Sequence, residues 1–328
     1  MGFVPARVLV TGAGGFVGRH LLAALREALP KAELVGTSQD GSTIAGADRV
    51  QRLELTDPAG IAAVVAAVRP EACIHLAALT AVGSSFAEPE AVWQANVDGT
   101  RALATALNRH VPDAWLLHVS SVEVYGLAFR SGEALTEQTA MQPANPYAAA
   151  KAAVDLCLGE MALRGLRVVR LRPANHIGPG QTERFVVAAF ARQIARIEAG
   201  LQEPVVATGA LDRCRDFLDV RDVCRAYVAA LERADTLPSG VALNVASGRS
   251  RNVREVLDDL LRLAAVEARV DEHAAERRPL DLVTARCDVT AARQALDWTP
   301  TIPWERTLAD VLAYWRAVVR DRPPPPTG

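Results

Sequence analysis

Residues 7–22 read RVLVTGAGGFVGRHLL, and the order of residue types in this stretch decides the fold. Val8, Leu9 and Val10 form an apolar run without polar alternation, which is what a strand buried on both faces requires. Phe16 to Leu22 open an amphipathic helix. Between the two stand Gly12, Gly15 and Gly18. A strand that turns straight into a helix needs the first glycine for the tight turn and the next for close approach of backbone to a phosphate. The last lets the helix pack on the strand, and the helix N-terminus adds partial positive charge. The stretch predicts a βα turn that cradles the pyrophosphate of a dinucleotide.

Outward from this turn, strand-length apolar runs alternate with longer amphipathic stretches: AELVGTS, a helix near IAAVVAAVR, ACIHLAA, VWQANVDGTRALATALNRH, AWLLHVSS, YAAAKAAVDLCLGEMALRG and LRVVRLRP. Strand and helix in alternation predict an α/β protein, a Rossmann doubly wound parallel sheet with right-handed crossovers. After about residue 175 the rhythm loosens, with helices near 184–200, 251–265 and 304–320 and short strands at PVVATG and ALNVAS. We expect an NAD(P)-binding domain over 1–175, and a smaller C-terminal α/β substrate-binding domain mainly over 176–320 with segments returning to the first. The tail at 321–328, rich in proline, is expected to be disordered.

The formal charge of −2 over 328 residues, half of them hydrophobic, leaves no surface suited to nucleic acid and argues against a disordered chain. Cys73, Cys157, Cys214, Cys224 and Cys287 lack the short paired spacings of metal sites or disulfide frameworks, so reduced thiols and no metal are expected. The N-terminus enters a strand within a few residues and no apolar run approaches the ~20 residues of a membrane span. A cytoplasmic protein without membrane contact is the expectation.

Tyr147 and Lys151 are spaced Tyr-x-x-x-Lys at the start of a helix rich in small residues, so both side chains leave one face a turn apart. A neighbouring cation favours phenolate, which would let Tyr147 exchange a proton with a carbonyl or alcohol oxygen. Upstream, SSVEVYG (120–126) ends a strand and places Ser121 where it can donate to the same oxygen. Ser38 ends the second strand where an acidic residue commonly binds the adenosine ribose, which favours NADP(H) over NAD(H). Asp57 is either an acceptor for the adenine amino group or a helix cap before Pro58.

In this order and spacing, the glycine loop, HLAA (75–78), Asn96 followed by Val-Asp-Gly-Thr, SSVEVYG and PYAAAK resemble the extended short-chain dehydrogenase/reductase family, over about the first 180 residues. The resemblance implies that Phe16, Val17, Leu76, Ala77, Ala78, Asn96, Val119, Pro173, Asn175 and His176 lie along the cofactor. It also implies that Lys151 fixes the nicotinamide ribose, while His176 orders its loop. Within the family, RPANHIGPGQ (172–181), RDFLDVRDV (215–223), NVASG (244–248) and RRPLDL (277–282) resemble the GDP-4-keto-6-deoxy-D-mannose reductases, which make GDP-D-rhamnose. That likeness implies substrate contacts at Thr80, Asn175, Val187, Arg192, Arg215, Arg278 and Asp281, with arginine forks on the diphosphate. A GDP-linked 4-keto-6-deoxy sugar is the expected partner, although Gln39 stands where those reductases often carry Arg. Glu123 has two readings: the base of a sugar-nucleotide 4,6-dehydratase, or a loop residue that caps or pairs locally. A 4-epimerase or 4,6-dehydratase on the same scaffold is one rival, and a non-catalytic dinucleotide-binding regulator is another. The alanine-rich faces of VWQANVDGTRALATALNRH and YAAAKAAVDLCLGEMALRG predict a homodimer through a four-helix interface.

Overall fold

The computed structural model describes residues 2–80, 82–272 and 285–321. Strands β1 (Arg7–Thr11), β2 (Glu33–Ser38), β3 (Arg49–Arg52), β4 (Ala72–His75), β5 (Trp115–Val119) and β6 (Val168–Pro173) alternate with helices. These are α1 (Phe16–Ala28), α2 (Pro58–Val68), the short α3 (Val82–Ser85) and α4 (Pro89–Trp93), α5 (Thr100–His110) and α6 (Pro146–Leu163). A π-helical stretch, Gln94–Gly99, joins α4 to α5, and a tight 3₁₀ segment, Val122–Ser131, follows β5.

The chain then leaves the sheet through β7 (Asn175–Ile177), α7 (Val186–Glu198), β8 (Val205–Thr208), β9 (Cys214–Asp219) and α8 (Val220–Glu232). It returns as β10 (Ala242–Val245), so ALNVAS belongs to the main sheet, whose order is β10-β6-β5-β4-β1-β2-β3 with every pairing parallel. Beyond it come β11 (Ser250–Asn252), α9 (Val253–Ala264), β12 (Arg269–Glu272), α10 (Thr290–Leu296) and α11 (Trp304–Asp321). The strands β11-β9-β7 form one small sheet and β12-β8 another. Of the tail expected over 321–328, Asp321 instead ends α11, and residues 322–328 lie outside the described residues, as do Arg278 and Asp281.

Both faces of the main sheet are covered, which is why its strands carry continuous apolar runs. On one face Leu21, Leu22 and Leu25 of α1 and Val223, Tyr227 and Leu231 of α8 pack on Val8, Val10, Ile74, Leu117 and Leu171. On the other, Ile61 and Val65 of α2, Leu103 and Leu107 of α5 and Val154 and Leu158 of α6 pack on Leu9, Val35, Cys73, Leu116 and Val168. Each such side chain contributes about 1.5–3 kcal/mol of burial. A third core joins α7, α9 and α11 through Phe190, Ile194, Leu257, Leu260 and Leu312. The carboxyl ends of β1, β4, β5 and β6 meet at one edge of the sheet, where doubly wound proteins bind ligands. Among the described residues no helix is long and apolar enough to cross a membrane.

Candidate active site

Gly12 has φ +69, and a Cβ there would stand 2.8 Å from the backbone nitrogen of Ala77. A Cβ on Gly18 would stand 2.5 Å from the carbonyl oxygens of both Gly12 and Ala13. The loop is thus drawn tight against two backbone segments. Gly15 caps α1 without a side chain, so no side chain occupies the first-turn amides of Phe16, Val17 and Gly18. This cradle fits a dinucleotide pyrophosphate. The Phe16 ring lies parallel to the His176 ring, 6.2 Å between centroids, and His20 Nε2 is 2.9 Å from the Pro179 carbonyl oxygen. His176 Nδ1 is 3.0 Å from the Ala174 carbonyl oxygen, so this ring orders the RPANHIGPGQ loop over the start of α1.

Ser38 ends β2, half-buried, with Oγ 3.4 Å from the Ser42 carbonyl oxygen. Beside it Gln39 Nε2 donates to Glu54 at 3.1 Å, and Asp40 Oδ1 accepts from Ser42 N at 3.0 Å. Asp57 is the cap of α2: its Oδ1 accepts from Gly60 N at 3.0 Å and Pro58 occupies the first turn. Ala77 N donates to Thr11 Oγ1 at 3.2 Å, which sets the 76–80 segment beside the glycine loop. Asn96, buried, accepts from Leu79 N at 2.8 Å and donates to Leu79 O at 2.9 Å. Both halves of its amide are therefore engaged in holding that segment. Ala78 is half-buried and Thr80 exposed on the same segment.

At the reaction centre Asn145 caps α6, its Oδ1 accepting from Ala148 N at 2.8 Å, and Pro146 sits in the first turn. This fixes Tyr147 and Lys151 at the start of the helix, 9% and 6% exposed. Ser121 Oγ accepts from Glu123 N at 3.1 Å, capping the segment after β5. Lys151 Nζ donates to the Val119 carbonyl at 2.8 Å. Burial pushes the Tyr147 phenol well above its ordinary value, the Glu123 carboxylate pushes it further, and the Ser121 hydroxyl pulls the other way. Lys151 is not among the groups that shift it. The lysine is turned to a backbone carbonyl, and burial favours the protonated form of Tyr147. Burial also lowers Lys151 to about 8, opposed by the carboxylate of Asp155.

The sequence model of the NAD dependent epimerase/dehydratase family matches residues 8–246. This chain belongs to that family. It is 35% identical over 316 residues to GDP-6-deoxy-D-mannose reductase of Pseudomonas aeruginosa, covering 96% of this chain and 99% of that protein. It is 30% identical to dTDP-glucose 4,6-dehydratase of Mycolicibacterium smegmatis, over 95% of this chain and 93% of that protein. The solved structure of RMD from Pseudomonas aeruginosa complexed with NADPH matches at a TM-score of 0.83 and 34% identity, over 95% of this chain and 99% of that one. The UDP-glucose 4-epimerase of Thermus thermophilus in complex with NAD matches at 0.82 and 27%, over 94% and 99%. Like other epimerase/dehydratase members, this chain is an enzyme built for a nicotinamide dinucleotide and a nucleotide sugar.

On the substrate side of this epimerase/dehydratase site, Asn175 is exposed on β7. Arg192 is half-buried on α7, and Arg215 on β9 donates to the Cys214 carbonyl at 2.9 Å. Val187 is 1% exposed and its side chain belongs to the third core. Only its backbone N–H, in the first turn of a helix whose cap Phe185 supplies no side-chain bond, is left to offer a ligand. Sequence reading missed a buried network behind the centre. Arg172 donates to both oxygens of Asp155, at 3.0 and 2.8 Å, and to the Tyr125 hydroxyl at 2.8 Å, which in turn donates to Asn244 Oδ1 at 2.8 Å. Arg170 joins Asp155 at 2.8 Å. The signal was present: two arginines at alternate positions of a strand covered on both faces demand a buried acid.

Proposed function

We propose that this protein reduces the 4-keto group of GDP-4-keto-6-deoxy-D-mannose to give GDP-D-rhamnose, with NADPH favoured over NADH. The observation that carries the reductive reading is Tyr147: a buried phenol held in its protonated form beside Ser121 is ready to give a proton to a ketone oxygen. The likeness to the Pseudomonas aeruginosa reductase along nearly the whole chain supports the sugar and the base. The absence of a carboxylate at the end of β2, where Ser38 stands, supports the cofactor preference.

The dinucleotide, when bound, supplies the hydride. Gly12, Gly15, Phe16, Val17 and Gly18 would hold its pyrophosphate, the 76–78 segment and Val119 its flank, and Pro173 its nicotinamide end. Ser121 would donate a hydrogen bond to the ketone oxygen and share the charge that develops there. Tyr147 protonates that oxygen, while Lys151 keeps a positive charge beneath the centre and orients the nicotinamide ribose. Arg192 and Arg215, with Arg278 and Asp281, would grip the nucleotide. The test is net, stoichiometric oxidation of added NADPH by the keto sugar with GDP-D-rhamnose as product.

A 4,6-dehydratase is the second reading, favoured by Glu123, whose charge reaches Tyr147 and whose Oε2 is 3.5 Å from Asn145 Nδ2. Its neighbour Val122 is buried in an apolar cluster, so no second acid stands beside it to protonate a leaving hydroxyl. Release of a 4-keto sugar from GDP-mannose without net NADPH consumption would support this reading instead.

We also infer a homodimer through the α4–α6 face. On α6, Leu156 and Leu163, seven residues apart, are 60% and 89% exposed on its outer side. Phe86 and Trp93 are exposed large hydrophobics on neighbouring segments. Such a patch suits an isologous contact. Leu156→Glu is expected to convert a dimer to a monomer in light scattering at micromolar concentration; a monomeric parent would remove the proposal.

A further inference from the structure

Asp155 lies one turn beyond Lys151 on α6, is 0% exposed, and is the carboxylate on which two strand guanidiniums converge. Arg172 meets it with a two-pronged fork and reaches past it to Tyr125, on the same 3₁₀ segment that Ser121 caps. Tyr125 is bonded onward to Asn244 of β10, whose amide donates to the carbonyls of Leu135 and Asp288. One buried anion therefore joins the helix of Tyr147 and Lys151, the strand β6 and the loop of Ser121. Resting on the reductase reading, we propose that Asp155 is a positioning residue of the reaction centre, which acts through Lys151 by its charge and through Arg172 and Tyr125 by fixing the Ser121 segment to α6.

The charge part has a definite sign. Tyr147 and Asp155 lie one turn to either side of Lys151 on α6, His75 on β4 and His118 on β5 feel its charge from the sheet, Glu123 on the loop after β5 acts on Tyr147, and Arg170 and Arg172 on β6 pair with Asp155. Both histidines are buried, His75 between Thr11 and Thr100 at 2.6 and 2.9 Å, and burial holds both in the neutral form, with Lys151 adding to the effect. Asp155 is accordingly the buried anion on this side that favours the ammonium. Removing its charge leaves the guanidiniums of Arg170 and Arg172 without their buried counter-ion and takes away the carboxylate that raises Lys151, so the pKa of Lys151 falls. The protonated fraction at a given pH above neutrality falls with it.

The sequence makes this measurable, because Lys31 and Lys151 are the only lysines in the chain. With ¹³C-labelled lysine, the purified protein shows two side-chain signals, assigned by Lys31→Arg. Lys151 is expected to titrate near about 8 in the parent. In Asp155→Asn its midpoint should drop by about one to three pH units, and the alkaline limb of NADPH-dependent reduction should move down with it. Asp155→Glu should restore both. An unmoved midpoint in Asp155→Asn, with activity lowered equally at all pH values, would reduce Asp155 to a packing role and overturn the proposal. Should Asp155→Asn not fold, Tyr125→Phe keeps the ion pairs and cuts only the tie to the loop. We then expect kcat to fall by about tenfold or more with the KM for NADPH unchanged, and an unchanged kcat would sink the tie. The titration needs no substrate, so a failure to reduce any keto sugar would count against the proposed reaction and leave this inference to be judged by Lys151 alone.

Discussion

Tyr147→Phe is expected to lower turnover by about two to four orders of magnitude while dinucleotide binding stays within a few fold. The ring is buried at the start of α6, so phenylalanine fills the same space and the cap at Asn145 is untouched. What disappears is the hydroxyl, the group that burial and Glu123 hold protonated. Without it the developing alkoxide has only the Ser121 hydroxyl to lean on, and the loss corresponds to about 3–5 kcal/mol of barrier. Single-turnover oxidation of NADPH at saturating keto sugar measures the effect, and fluorescence titration of NADPH measures binding. A variant that turns over within fivefold of the parent would remove Tyr147 from the chemistry and revive the reading of a dinucleotide-binding regulator.

Gly18→Ala is expected to weaken NADPH binding by about one to two orders of magnitude, from an overpacking cost of about 1–3 kcal/mol. The added methyl would lie 2.5 Å from two carbonyl oxygens of the glycine loop, and both are backbone, so the loop itself must move away from the helix. The shift falls on the atoms that line the pyrophosphate cradle. Gly209→Ala is the matched control: a Cβ there meets nothing within 4 Å, and binding should not change. Equal affinities for the two variants in a calorimetric titration would show that the close approach at Gly18 does not shape the cradle.

Local chemistry made most of the scaffold readable. Val8 to Val10, the three glycines and Phe16 to Leu22 specify a strand, a turn and a helix from their own residues, and Tyr147 and Lys151 share a face because of helical spacing alone. What escaped depends on partners distant in sequence. That the Val187 side chain turns inward follows from the packing of α7 on α9 and α11, which its own residues do not announce. That both halves of the Asn96 amide go to Leu79 likewise depends on a contact that local sequence does not announce. The bond from Lys151 to the Val119 carbonyl is another such contact, set by the strand that packs beneath the helix. The Asp155–Arg172–Tyr125–Asn244 chain spans four segments and could be suspected only from charged residues in a doubly covered strand.

The return of the chain at β10, with α8 laid against α1 on the way, has an evolutionary corollary. The second half of the chain is not an appended module but an excursion from one continuous frame, to which it returns at β10. Recombination that swapped this half wholesale between relatives would tear β10 from β6 and bare the apolar side of α1. New substrates must therefore be acquired by rewriting loops in place, which is consistent with one framework serving reductases, epimerases and dehydratases alike.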